Sequence, residues 1–241
     1  MVARKHIPIE NMKTAFKNYQ EAIDYLNQFN DEKKALFYKK MINSPKLKFH
    51  GLDTKTMTSV MKNYTLTEGP LDYSYELTSL VFASNIAQMN DDKLLISYLL
   101  EFIKHADNWA HVDAIFTYDK VKRLRFEVLY PLIKHTRDSD LEFVCRFYYV
   151  AFIMYKARVE LYDDFLATIK DSDKYYTLMA IAWVLSEMFP QSDDKILRFL
   201  ESAQLSKTTQ LKTIRKIKES RKTTDAQREK LEKLRREIKD K

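Results

Sequence analysis

Four side chains able to handle charge stand at related positions along this chain: Trp109, Asp113, Arg146 and Trp183. A carboxylate and an aromatic face attract positive charge, and a guanidinium grips an oxyanion in a bidentate fork. The stretch Asp107-Asn108-Trp109-Ala110-His111-Val112-Asp113 reads as a helix start. Asp and Asn are good N-caps, and residues four apart share a helix face, so Trp109 and Asp113 point the same way. The acidic cap recurs at Asp140 and Asp173, in two steps of 33 residues. Six residues in from the first two caps stand Asp113 and Arg146; ten in from the third stands Trp183, one turn further along the same stripe. Taken singly, a tryptophan or arginine on a helix is more often a core or rim residue than a site residue. It is the shared register that groups these four.

The elements that must position them follow from the same spacing. A repeat of about 33 residues carrying two helices is the mark of a helical solenoid, in which corresponding helices line one concave wall. Only Gly51 and Gly69 occur in the chain, which leaves almost no residue for left-handed hairpin turns or phosphate-cradling loops. The expected fold is therefore all-α, a superhelical solenoid of six or seven antiparallel helix pairs, and nucleotide-binding sheet folds are excluded. Helices are expected over residues 8–29, 31–43, 53–61, 71–89, 91–105, 108–118, 121–135, 140–155, 159–169, 172–189 and 193–201. The run Phe147-Tyr148-Tyr149-Val150-Ala151-Phe152 is read as buried packing.

Composition narrows the chemistry further. Cys145 is the single cysteine, so neither an internal disulfide nor a thiolate cluster can form. His6, His50, His105, His111 and His135 make no His-x-x-x-His pair, and neither metal nor cofactor is expected. The N-terminus lacks an apolar signal core and no apolar run approaches membrane-spanning length, so the expectation is a cytoplasmic monomer without a membrane partner. The net charge is +7, and all of that excess falls in residues 201–241. Two readings of this basic end stand side by side, a polyanion partner and a solvated charged helix. A boundary is expected there, with a repeat domain over 1–220 and a charged helix or tail over 221–241.

Trp109-x-x-x-Asp113, Arg146 six residues after a cap, and Ala180-Ile181-Ala182-Trp183-Val184-Leu185 together resemble the motifs of the HEAT-like-repeat alkylpurine DNA glycosylases, the AlkD type. Phe49-His50-Gly51-Leu52 and Leu205-Ser206-Lys207 extend the likeness, which covers roughly residues 15–217. The resemblance implies a concave face that holds double-stranded DNA and excises cationic N3- or N7-alkylated purines without flipping them. A base already carrying positive charge leaves as a neutral molecule, so no strong general acid is needed. By resemblance, Asp113 stabilises the positive charge that develops on the deoxyribose and positions water. Trp109 and Trp183 contact the lesion and the sugar, and Arg146, Lys55 and Lys207 hold backbone phosphates. There are departures as well. Where the family carries Pro and Arg after the glycine, this chain has Asp53-Thr54-Lys55-Thr56, with Lys55 the lone cation, and Ala110 replaces an acidic residue. A divergent glycosylase with weak duplex binding and weak or no excision is expected; the other reading is a non-enzymatic HEAT-like binding module with a relic site.

Overall fold

In the computed structural model, residues 13–202 and 204–240 are described. The protein is predominantly helical, at 71% helix, with almost no strand among the described residues. Two compact units divide the chain, one running to His111 and one from Val112 onward.

The first unit opens with a two-residue strand, β1 (Thr14–Ala15), and continues with α1 (Tyr19–Asn27), α2 (Glu32–Ile42), α3 (Thr54–Asn63), β2 (Tyr64–Thr65), α4 (Tyr75–Gln88) and α5 (Asp92–Phe102). β1 and β2 pair in parallel. The expected opening helix over 8–29 is thus shorter: residues 8–12 lie outside the described residues, and the next few are extended. Packing overrides local helical periodicity here. The Phe16 amide donates to the Thr65 carbonyl at 3.0 Å, and the Phe16 ring stacks on Tyr64 with centroids 4.8 Å apart.

Helix starts in this unit obey cap chemistry. Asn18, Asp31, Asp53, Ser74 and Asp91 each accept the backbone N–H three residues on. α2 ends at Asn43, whose φ of 56° is the left-handed stop that Asn tolerates, just before Pro45. Gly51 has φ of 76°, and a Cβ there would lie 2.3 Å from the Asp31 carbonyl, so the loop closes tightly on the start of α2. Ala22, Ile23, Leu26, Val60, Leu77 and Leu80 form the centre of this unit's core.

The division along the chain falls within α6 (Trp109–Ile115), and the chain then runs through α7 (Asp119–Lys122), α8 (Phe126–Ile133), α9 (Glu142–Phe152), α10 (Tyr162–Thr168), α11 (Tyr175–Met188), α12 (Asp193–Glu201), α13 (Lys207–Glu219) and α14 (Asp225–Asp240). The helix expected over 121–135 is broken in two around buried Leu124, and Pro131 weakens the end of α8, which passes into a 3₁₀ turn. α9 packs on α11, α11 on α13, and α13 on α14. Phe147, Tyr148, Tyr149 and Phe152 are buried as expected, and Phe152 stacks on Phe165 with centroids 3.6 Å apart. Aromatic rings of this size bury about 150–250 Å² each and dominate such a core.

α6, α9 and α11 begin at Trp109, Glu142 and Tyr175, so the 33-residue step is present in the helix starts themselves. The expected caps are a different matter. Asn108 caps α6, its Oδ1 accepting the His111 amide at 3.0 Å, but the N-cap residues of α9 and α11, Leu141 and Lys174, make no side-chain cap bond, and the Tyr176 amide of α11 is taken instead by Glu142 of α9. Ser139 and Ser172, rather than Asp140 and Asp173, accept the amides two residues on. A hydroxyl in a short turn does locally what the carboxylates were expected to do. Asp140 instead offers its carbonyl to the Lys174 ammonium at 2.6 Å. α14 docks through Leu231, Leu234 and Ile238, all buried. No helix among the described residues is long and apolar enough to cross a membrane.

Candidate active site

Asp113 occupies the second turn of α6 and Arg146 the second turn of α9, 33 residues later. That spacing brings them into a bidentate pair: Arg146 Nε donates to Asp113 Oδ1 at 2.9 Å and Nη2 to Oδ2 at 2.8 Å. Nη1 donates to the Tyr176 carbonyl at 2.8 Å, so α6, α9 and α11 are tied through one guanidinium. Arg146 is 5% exposed and fully engaged along its inner edge. The residue expected to hold phosphate thus bonds Asp113 and the Tyr176 carbonyl.

The Asp113 side chain keeps 17% of its surface and lines a cleft of about 390 Å³ with Phe116, Val150, Met154, Lys156 and Trp183. Burial pushes the Asp113 carboxyl above its ordinary pKa, against the opposing pull of Arg146 and of Lys216 on α13. A carboxylate in a largely apolar wall acts strongly at short range on any charge that enters the cleft, because little water screens it.

A second carboxylate stands beside the cleft. Glu187 lies four residues after Trp183 on α11, accepts a hydrogen bond from it, and is ion-paired with Lys156. Burial pushes Glu187 up, but Lys156, Lys222 and the Trp183 hydrogen bond outweigh it and leave the group below its usual range. Trp183 itself lines the cleft.

No family model matches the chain, and no curated protein is similar to it.

The expected site residues are distributed as follows. Asp113, Arg146 and Trp183 come together in the second unit. Trp109 opens α6 one turn before Asp113, half-buried, at the end of the first unit. Lys55 is exposed near the start of α3 in the first unit. Lys207 is exposed at the first position of α13, its ammonium donating to the Lys239 carbonyl at 2.6 Å. Sequence reasoning missed Lys156, Glu187 and Lys216. The i, i+4 relation of Trp183 to Glu187 was visible, but Lys156 and Lys216 reach the site through helix packing that no short spacing encodes. Lys122 also lines the cleft. No group of three or more His, Cys, Asp or Glu that could hold a metal occurs among the described residues.

Proposed function

We propose that the chain is a divergent alkylpurine DNA glycosylase-like protein, a solenoid of HEAT-like antiparallel helix pairs whose Asp113 site engages a cationic alkylated base in double-stranded DNA. The observation that carries this reading is the Asp113 carboxylate, fixed by Arg146 on the wall of an apolar cleft that it shares with the Trp183 indole. A cation or a sugar acquiring positive charge is stabilised by that carboxylate and by the aromatic face, the latter by about 0.5–2 kcal/mol. Lys122 and Lys156 at the same cleft supply charge of the sign that phosphates require. The solenoid reading is supported by the 33-residue step of the helix starts and by side-chain bonds that span about one repeat, among them Arg146 to Asp113 and Tyr176 to Glu142.

Excision is weak on this reading, since the segment after Gly51 offers only Lys55 as a cation and Asp113 is largely sunk against Arg146. The same sunken pair favours the second reading, a DNA- or protein-binding module in which the pair serves stability. Incubation with duplex containing 7-methylguanine or 3-methyladenine decides between them, scored by released base and alkali-labile abasic sites. Slow release abolished by Asp113→Asn supports the glycosylase; no release from wild type at any enzyme excess supports the binding module. Rapid release would overturn the weak-activity proposal.

A further inference from the structure

The charge asymmetry of the sequence takes a definite shape in the second unit. α13 and α14 run antiparallel, since Lys207 at the start of α13 bonds Lys239 near the end of α14 and Lys218 pairs with Glu232 at 2.5 Å. Between them lies a groove of about 630 Å³. Lys212, Arg215, Lys218 and Glu219 line it from α13, and Arg235 and Lys239 from α14. On α13 these residues fall on one helix face, opposite buried Thr213, Ile214 and Ile217. We propose that this groove is a binding site for the phosphodiester backbone of a nucleic acid, separate from the Asp113 cleft.

Five cations face one carboxylate within the groove. Glu219 pairs with Arg215, and Glu232, just outside, is shared by Lys218 and Arg235 at 2.5 and 2.8 Å. Two acids therefore offset three cations, and the ammoniums of Lys212 and Lys239 meet no carboxylate among the described residues. Successive cations rise about 4.5–6 Å along each helix, giving two lines of charge rather than a point, which suits a linear polyanion. Next to the groove, Tyr175 is 55% exposed and lies 5.9 Å from the Lys212 ammonium. An exposed ring beside a cationic track is the combination on which bases of a single strand stack. Docking of α14 through its apolar stripe turns a basic chain end into the second wall.

Binding at this groove requires neither a lesion nor Asp113, so its failure and that of the glycosylase reading are distinguishable. Fluorescence anisotropy with undamaged oligonucleotides of about 20 nucleotides, longer than the stretch one such track covers, tests it in single-stranded and duplex form. The triple variant Lys212→Gln, Arg235→Gln, Lys239→Gln is compared with Lys33→Gln, Lys39→Gln, Lys40→Gln on α2, which removes equal charge elsewhere. Expected is at least a tenfold weaker complex for the groove variant, with the log–log salt slope smaller by about 0.7 per lost contact on single strands and about 0.9 on duplex. The α2 variant should bind as wild type does. If the Arg235 change unfolds the hairpin, judged by thermal melting, the Lys212→Gln, Lys239→Gln pair keeps the test, since neither ammonium is ion-paired. Three results would overturn the proposal: no binding by wild type, equal loss in the α2 variant, or competition by polyglutamate as effective as by nucleic acid.

Discussion

Glu76 in the first unit and Asp113 in the second are both largely removed from water, but they are held by opposite means. Glu76, 2% exposed, accepts the backbone N–H groups of His50, at 3.1 Å to each oxygen, and of Gly51, at 3.0 Å. Asp113 takes its hydrogen bonds from the Arg146 side chain and keeps one edge on a cleft. Backbone amides fix a carboxylate permanently and leave it neutralised by dipoles alone, which suits a brace across a tight loop. A guanidinium fixes geometry equally well and supplies a full counter-charge, and here the carboxylate it holds keeps an open edge on the cleft. Burial alone therefore does not mark a site; the identity of the donor and the presence of open space do.

The largest effect should separate the two. Arg146→Ala leaves Asp113 buried without its partner and should cost about 3–5 kcal/mol in urea unfolding, whereas an apolar pair, Asp113→Leu with Arg146→Met, should recover most of that. A loss below about 1 kcal/mol for the single variant would show that water reaches Asp113 freely and would break the contrast.

The second effect sharpens it from the side of the first unit. His111, beside Glu76's neighbour Tyr75, stacks on the Tyr75 ring with centroids 4.5 Å apart, and its Nε2 lies 3.3 Å from the Tyr75 carbonyl. Burial lowers its pKa to about 4. In the unfolded chain a histidine protonates near 6.5, so between about 6.5 and 4 only the unfolded state takes up the proton. Stability is thus fully present above pH 6.5 and declines as the pH falls, by about 3 kcal/mol at pH 4. His111→Gln should remove that share of the acid sensitivity, measured as the difference between wild-type and variant melting across the window; parallel pH profiles would refute the assignment.

Least costly is Glu76→Ala, expected at about 2 kcal/mol because two buried N–H groups lose their acceptor. Hydrogen exchange should show the loosening at His50 and Gly51 first. Uniform loosening of both units would mean that Glu76 braces more than its loop.

The helical class was legible from scarce glycine and from periodicity, and the 33-residue step was legible in Asp107, Asp140 and Asp173. What the step could not reveal was the chemistry at each helix start, because Ser139 and Ser172 bond locally in a way that competes with Asp140 and Asp173. β1 was unreadable for a different reason. Its extended form depends on Tyr64 and Thr65, fifty residues away, and such a contact leaves no trace in local spacing. The Asp113–Arg146 pair lies between these cases: the register put both residues on one surface, but a salt bridge and two independent ligands have the same spacing, and only the distance distinguishes them.

The bonds from Arg146 to Asp113, Tyr176 to Glu142 and Lys195 to Asp163, which span 33, 34 and 32 residues, also bear on how the second unit assembles. Each closes a loop of nearly equal length, and closure entropy grows only with the logarithm of that length. No single closure is then much dearer than its neighbours, and the chain needs no privileged starting point. Loop-closure entropy therefore ranks none of these three bonds ahead of the others as the place where order in the second unit begins.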